Sequence, residues 1–404
     1  LHLGLATMMH AGALAAAPLA ATGSLPDQPA RLAVPDDPAA FLAAVMEAAQ
    51  ARMSAFLAGL QRYQQHAYRR DMPAVPELWR DGATRLLDYR DGRRRGRPLL
   101  VVPSLINRYT VLDLMAGRSL LRWLAGQGFR PFVVDWGDPG EAERELDVAG
   151  HVTRLSAALD AVRATSRMKP VLVGYCMGGT LAVALAQRRQ ADLAGLALLA
   201  APWDFHADGR ADEYATLAKT TAPVLAACGE LPVDLLQALF ASLDPLLGWR
   251  KFRRFAALPE GSEPEREFVA IEDWLNDGAA LPRAVAWDCL FGWYAENRPG
   301  RGTWRIDGET IDPAAIDVPA FVAIPRADRI VPPPSAAALA ERLPRAQMHR
   351  PPSGHIGMVV SARAERGLWQ PLADWLAAIP GTRDRPARSA RRSARTRSPR
   401  SGSP

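Results

Sequence analysis

A cysteine set among glycines, in Gly174-Tyr-Cys176-Met-Gly178-Gly179, is the residue of this chain best placed to do covalent chemistry. An apolar run, Val171 to Val173, precedes it and reads as a buried parallel strand; a small-residue stretch ending at Ala186 follows and reads as a helix. Strand, tight turn and helix are the setting of a nucleophile elbow, with Cys176 in the nucleophile position. Glycine at 174 and 178 lets strand and helix approach closely around a strained turn. The helix N-terminus behind the turn favours a thiolate and offers the Met177 backbone N–H to a developing oxyanion. The same residues also fit a buried cysteine in a glycine-rich connection, because free cysteine is a frequent core residue.

A cysteine nucleophile needs a base, and the base needs an acid to orient it. In the α/β-hydrolase arrangement the chain order is nucleophile, acid, histidine, each on a loop at the C-terminal edge of a strand. Asp328, in Pro325-Arg-Ala-Asp328-Arg-Ile-Val, follows an expected strand at 318–324, and His355, in Ser353-Gly-His355-Ile-Gly357, follows one at 346–350. His349 competes as the base but falls inside that last strand, which suits a histidine satisfied by its neighbours. Asp328 alone would serve equally as a turn or cap residue. Order and position together select the triad Cys176–His355–Asp328. A second oxyanion donor is expected in the loop Pro103-Ser-Leu-Ile106-Asn107, at the Ile106 N–H, unless that loop is only a strand-to-helix connection. Cysteine in place of serine keeps a captured acyl group as a thioester, still reactive towards a hydroxyl. That favours acyl transfer over hydrolysis where water is excluded.

The elements that must hold these residues are those of an α/β fold: a mostly parallel, doubly wound sheet with an inserted cap. Strands are expected at 85–90, 98–103, 130–135, 171–173 and 193–199 as well as the two late ones, with Asp91-Gly92 as a hairpin turn. Helices are expected at 117–126, 148–166 and 367–379. Residues 81–200 and 318–380 would form the α/β-hydrolase core. Residues 201–317, rich in Trp, Pro and helical patterns, interrupt the alternation where a cap that keeps water from the site would be inserted. Residues 36–80 carry apolar side chains at helical spacing (Phe41, Val45, Ala48, Met53, Phe56, Leu57, Leu60, Tyr63) after a start at Asp36 or Asp37 with Pro38. They read as an amphipathic helix pair lying on the main domain or on a partner.

Composition narrows the class. An apolar share of 49% can fill a sizeable core, and no stretch approaches the roughly 20 uninterrupted apolar residues of a membrane span. The net charge of +6 suggests nucleic acid only until it is located: residues 381–404 hold eight arginines against one aspartate, so everything before them is close to neutral. That tail lacks apolar periodicity and is expected to be disordered, either touching an anionic surface or simply solvated. No specific nucleic-acid partner is expected. Residues 1–35 contain no Lys or Arg before Arg31, unlike a secretory signal, and read as a disordered or non-native extension. Three widely spaced cysteines form neither a disulfide framework nor a metal site and suit a reducing cytoplasm.

Several phrases, taken together, resemble the poly(3-hydroxyalkanoate) synthase family. They are Pro103-Ser-Leu-Ile-Asn-Arg-Tyr-Thr-Val-Leu-Asp113, Gly117-Arg-Ser-Leu-Leu-Arg-Trp-Leu, Val134-Asp-Trp136-Gly-Asp-Pro139, Gly174-Tyr-Cys-Met-Gly-Gly-Thr, Asp328-Arg-Ile-Val-Pro-Pro and Ser353-Gly-His-Ile-Gly. The likeness covers about residues 86–379 and points to the short, two-subunit type. Two positions depart from it: Arg329 stands where many synthases have His, and Trp274-Leu-Asn276-Asp277 replaces a Trp-Asn-x-Asp phrase. The resemblance implies Cys176 as acyl-carrying nucleophile, His355 as general base and Asp328 as its partner. It implies 3-hydroxyacyl-CoA as substrate, with no cofactor beyond that CoA thioester, and a polyester chain with free CoA as products. Its implied partners are an accessory synthase subunit, a second copy in a homodimer, and the polyester chain or granule surface, in the cytoplasm or on the granule. The alternative on the same triad is a thioesterase or polyester depolymerase.

Overall fold

The computed structural model describes residues 37–90, 92 and 96–380. The expectations for 1–35, for the turn at Asp91 and for the basic tail 381–404 therefore lie outside the described residues.

Eight strands make one sheet: β1 (Glu77–Asp81), β2 (Thr84–Asp88), β3 (Arg97–Val102), β4 (Phe129–Asp135), β5 (Val171–Tyr175), β6 (Gly195–Leu199), β7 (Ala320–Ala323) and β8 (Ala346–His349). Their order is β1-β2-β4-β3-β5-β6-β7-β8; β3 to β8 run parallel, and β1 and β2 are antiparallel at one edge. The central parallel strands β5, β6 and β7 are wholly buried and almost wholly apolar because both faces are covered, while the edge strand β8 is partly exposed. Alternate residues feed two cores. Leu100, Val102, Leu172, Leu196 and Leu198 face α3 (Val148–Ser166) and α4 (Met177–Arg189), while Leu99, Val101, Val171, Val173, Ala197 and Leu199 face α2 (Leu120–Gly126) and α10 (Gln370–Ala378).

After β6 the chain leaves the sheet and builds α5 (Ala211–Cys228), α6 (Val233–Ser242), α7 (Leu247–Ala256) and α8 (Glu263–Asn276) before returning at β7. We refer to these helices as the cap. The chain between β7 and β8 carries a further helix, α9 (Pro333–Arg342), for which the sequence reading made no provision. Its alanines and prolines offer little hydrophobic periodicity.

Two expectations are corrected. Residues 36–80 are not a helix pair: one helix, α1 (Pro38–Gln64), is capped at Asp37, whose carboxylate accepts the Ala39 and Ala40 N–H groups at 3.0 Å. It lies on the cap, with Phe56 stacked on Trp249 and edge-on to Phe252 of α7, and Glu77–Asp81 at the end of the segment is a sheet strand. The hairpin is also elsewhere. β2 pairs with β1 across Gly82 and Ala83 and with β4, so β3 is not its neighbour. Local turn chemistry at Asp91-Gly92 resembled a hairpin, but the buried β4 competes for the same strand edge and wins.

Candidate active site

The turn at Cys176 is strained by design of its neighbours. Cys176 has φ 54° and ψ −129°, a left-handed conformation that a non-glycine residue holds only when its surroundings enforce it. The enforcement is steric. A Cβ on Gly174 would sit 2.4 Å from the Gly179 Cα, one on Gly178 2.3 Å from the carbonyl oxygens of Val102 and Pro103, and one on Gly179 2.4 Å from the Ala201 Cβ. The first turn of α4 thus presses directly against the ends of β3, β5 and β6. Cys176 is only partly buried, while its flanks Tyr175 and Met177 are buried. The Met177 N–H stands at the first position of the helix, where no preceding helical carbonyl can reach it.

Asp328 and His355 meet because the β7–β8 pairing continues past the strands. Ile324, Arg326 and Ala327 donate backbone N–H groups to the carbonyls of His349, Pro351 and Ser353 at 2.8, 3.0 and 3.0 Å, carrying two loops side by side. The Asp328 carboxylate then divides its work. Oδ1 accepts the Ile330 and Val331 N–H groups at 2.9 Å each, and Oδ2 bonds His355 Nδ1 at 2.7 Å. Both readings of Asp328, turn former and histidine partner, therefore hold at once. The imidazole and Cys176 line the same cavity. His355 is 7% exposed, and burial disfavours its charge; the Cys176 sulfur and Asp328 outweigh burial and push it up to about 10. The arrangement favours an imidazolium beside sulfur. The Tyr175 ring packs on the imidazole at 5.2 Å between centroids and its hydroxyl donates to the His355 carbonyl at 3.4 Å. His349, the competing histidine, lies in β8, bonds the Gly367 carbonyl at 2.6 Å and stacks on Phe321.

Ile106, the second expected oxyanion donor, lines the same cavity, but its N–H is taken by Ser104 Oγ at 3.3 Å. Ser104 has to release that amide before it can serve an oxyanion. The loop is braced from two sides: Trp136 Nε1 donates to the Pro103 carbonyl at 3.2 Å, and Trp274 Nε1 donates to the Arg108 carbonyl at 2.8 Å. Both tryptophans belong to phrases quoted above, and both act here as struts. Asn107 and Gly278 form an isolated β-bridge that joins this loop to the cap.

The cap closes over the thiol and leaves a cavity of about 410 Å³. Cys176, His355, Ser104 and Ile106 form its floor; Phe240, Leu243, Leu247 and Trp274 give it a largely apolar roof. Charged groups that sequence reading missed also line it. Lys251 and Glu272 pair at 2.6 Å on the wall. Asp244, on the cap loop, binds Arg250 at 2.5 Å and also Arg329, the residue directly after Asp328. The Lys251–Glu272 and Asp244–Arg329 pairs join residues 21 and 85 positions apart, so nothing local marks them. Among the described residues no group of three His, Cys, Asp or Glu side chains is arranged to hold a metal ion, and no helix is long and apolar enough to cross a membrane.

Residues 97–227 match the family model described as the alpha/beta hydrolase fold. The chain is 29% identical over 309 residues to the poly(3-hydroxyalkanoate) polymerase subunit PhaC of Haloferax mediterranei, covering 74% of this chain and 63% of that one. It is 29% identical over 292 residues to the same-named subunit of Haloarcula marismortui, covering 70% and 62%. A third, from Synechocystis sp., is 28% identical over 291 residues, covering 69% and 77%. The matched region thus spans less than two thirds of the first two relatives.

Proposed function

We propose that this chain, which has the α/β-hydrolase fold and is similar to poly(3-hydroxyalkanoate) polymerase subunits, is an acyltransferase that polymerises 3-hydroxyacyl groups from CoA thioesters. The observation that carries the reading is a cysteine at the elbow that shares one cavity with the imidazole of a buried His–Asp pair, beneath a largely apolar cap. The names of the relatives supply the 3-hydroxyacyl unit of the polymer, and the CoA thioester is what the family resemblance implies.

The proposed reaction uses these residues in turn. His355 takes the thiol proton of Cys176, and the sulfur attacks the thioester carbonyl. The tetrahedral oxyanion draws on the Met177 N–H, and on that of Ile106 once Ser104 lets go. The bond to CoA sulfur breaks, His355 returns the proton to the departing thiolate, and Cys176 is left acylated. His355 then accepts the proton of a 3-hydroxyl, whose oxygen attacks the acyl-cysteine; an ester forms and Cys176 is freed. The cap favours this second step over hydrolysis by limiting water. No cofactor is required beyond the CoA thioester. The protein partners we infer are an accessory subunit and a second copy of the chain, with the product granule as the working surface in the cytoplasm.

Incubation with 3-hydroxybutyryl-CoA, with and without a candidate accessory subunit, tests the reading. CoA release together with polymer supports it. Release with free acid points instead to a thioesterase or depolymerase on the same triad. Labelling of the chain by acyl substrate should vanish in Cys176→Ala; undiminished labelling removes Cys176 from the mechanism.

A further inference from the structure

Two charged side chains on the cavity wall have no part in the reaction as written. Lys251 of α7 donates through Nζ to Glu272 Oε2 of α8 at 2.6 Å. Glu272 is 4% exposed; burial raises its carboxyl above the ordinary range, against the pull of Lys251. The cavity they line also carries apolar Phe240, Leu247 and Trp274, with Gln237, Arg250 and Asn276 among its polar residues. An ion pair in such a place adds little stability, because the cost of desolvating both charges offsets their attraction, and apolar residues of similar volume do as well or better. Cavities that bind small molecules, by contrast, use a few placed polar groups in an apolar lining to orient what enters.

We propose that Lys251 and Glu272 recognise the 3-hydroxyl of the incoming acyl group and so select 3-hydroxyacyl thioesters over unsubstituted ones. The inference rests on the acylation of Cys176 by CoA thioesters proposed above. A hydroxyl both accepts and donates, and an ammonium beside a carboxylate offers one partner for each role. An ester carbonyl of the product only accepts, and an alkyl chain does neither. The placement of the pair favours the acyl half of the substrate over the CoA half. The side chains of Arg250 and Arg329, which also line the cavity, are 50% and 70% exposed and form its solvent rim, where a charged and hydrated leaving group must exit. Those of Lys251 and Glu272 are 17% and 5% exposed and sit inside it.

The test compares 3-hydroxybutyryl-CoA with butyryl-CoA as acyl donors to the full chain, read as kcat/KM for CoA release. Wild type is expected to prefer the hydroxy substrate by about 100-fold or more, since a site built to bond a hydroxyl rejects the analogue lacking it. In Glu272→Gln, and in the paired change Lys251→Met with Glu272→Leu, that ratio should fall below about 10-fold. The paired change strands neither charge and so protects folding. Equal use of both donors by wild type overturns the proposal, whatever the variants do. So does a variant that loses both donors by the same factor, as a purely structural pair or one touching the pantetheine arm would. Release of CoA from neither donor by wild type is a different failure: it removes the acylation of Cys176 itself, and this selectivity with it.

Discussion

At the scale of single residues, the proposed chemistry turns on how tightly His355 holds a proton. Its folded value of about 10 lies above the 6.5 of a free imidazole, so the folded chain binds this proton more strongly than the unfolded chain does. The resulting stability is complete below pH 6.5, declines as pH rises above it, and is gone once pH has passed about 10. Among the groups that raise the value, the Cys176 sulfur comes first. Cys176→Ala should therefore flatten the fall of the urea midpoint between pH 6.5 and 10, and parallel curves for the two proteins would count against the pairing. Asp328→Asn probes the other side of the ring. The amide oxygen can still accept the Ile330 and Val331 N–H groups, so the loop should keep its shape. The imidazole loses its acceptor, and CoA release should slow by roughly 10³–10⁴-fold with little change in thermal midpoint. A comparable loss of fold and rate would make Asp328 a turn residue and nothing more. Of these three side chains the sequence revealed type, order and loop position; it left open whether Asp328 was partner or turn, because one carboxylate has two oxygens and the structure uses each differently.

Among elements, the junction of β5 and α4 is the least forgiving. A Cβ on Gly174 or Gly178 would strike backbone, which cannot swing aside as a flexible side chain can, and one on Gly179 would strike the Ala201 methyl group. Gly178→Ala puts a methyl group against the Val102 and Pro103 carbonyls, and should cost about 2–3 kcal/mol or more in urea unfolding. It should also shift the Met177 amide, so acylation should fall more than stability alone explains; unchanged kinetics would argue that the amide takes no part. This element was readable because its glycine spacing is local. The placement of α1 was not. Apolar spacing located the helix, yet its partner is α7, whose Phe252 and Trp249 lie far along the chain and become a surface only when the cap has formed. The extra helix α9 went unseen for a related reason, since Pro, Ala and Ser carry too little hydrophobic contrast to declare a face.

For the whole molecule, the question is how the cap meets the core above the thiol. Trp274 and the Asn107–Gly278 bridge tie it on one side, and Asp244 ties it to Arg329, next to Asp328, on another. An ion pair with so exposed a partner contributes less than about 1 kcal/mol to stability, so its effect belongs in local opening of the cap loop and not in global unfolding. Asp244→Asn should leave the thermal midpoint nearly unchanged while speeding hydrogen exchange across the cap loop at 243–250, and salt should do the same to wild type. Exchange that ignores both would mean the pair holds nothing in place. The family resemblance marked Arg329 only as an unexpected residue; its partner on the cap gives it a use.

The amino-acid sequence by itself determined the strand–turn–helix at Cys176, the order and loop positions of Cys176, Asp328 and His355, and the alternation that builds a parallel sheet. Each of these is written in neighbouring residues, through glycine sterics, loop position and the run of apolar side chains. Only the tertiary structure decided which strand edges pair, what α1 lies on, that Ser104 holds the Ile106 amide, and that Lys251 meets Glu272 inside the cavity. Those outcomes depend on competition for buried surface and on charges brought together by folding, and such competition has no signature in local spacing.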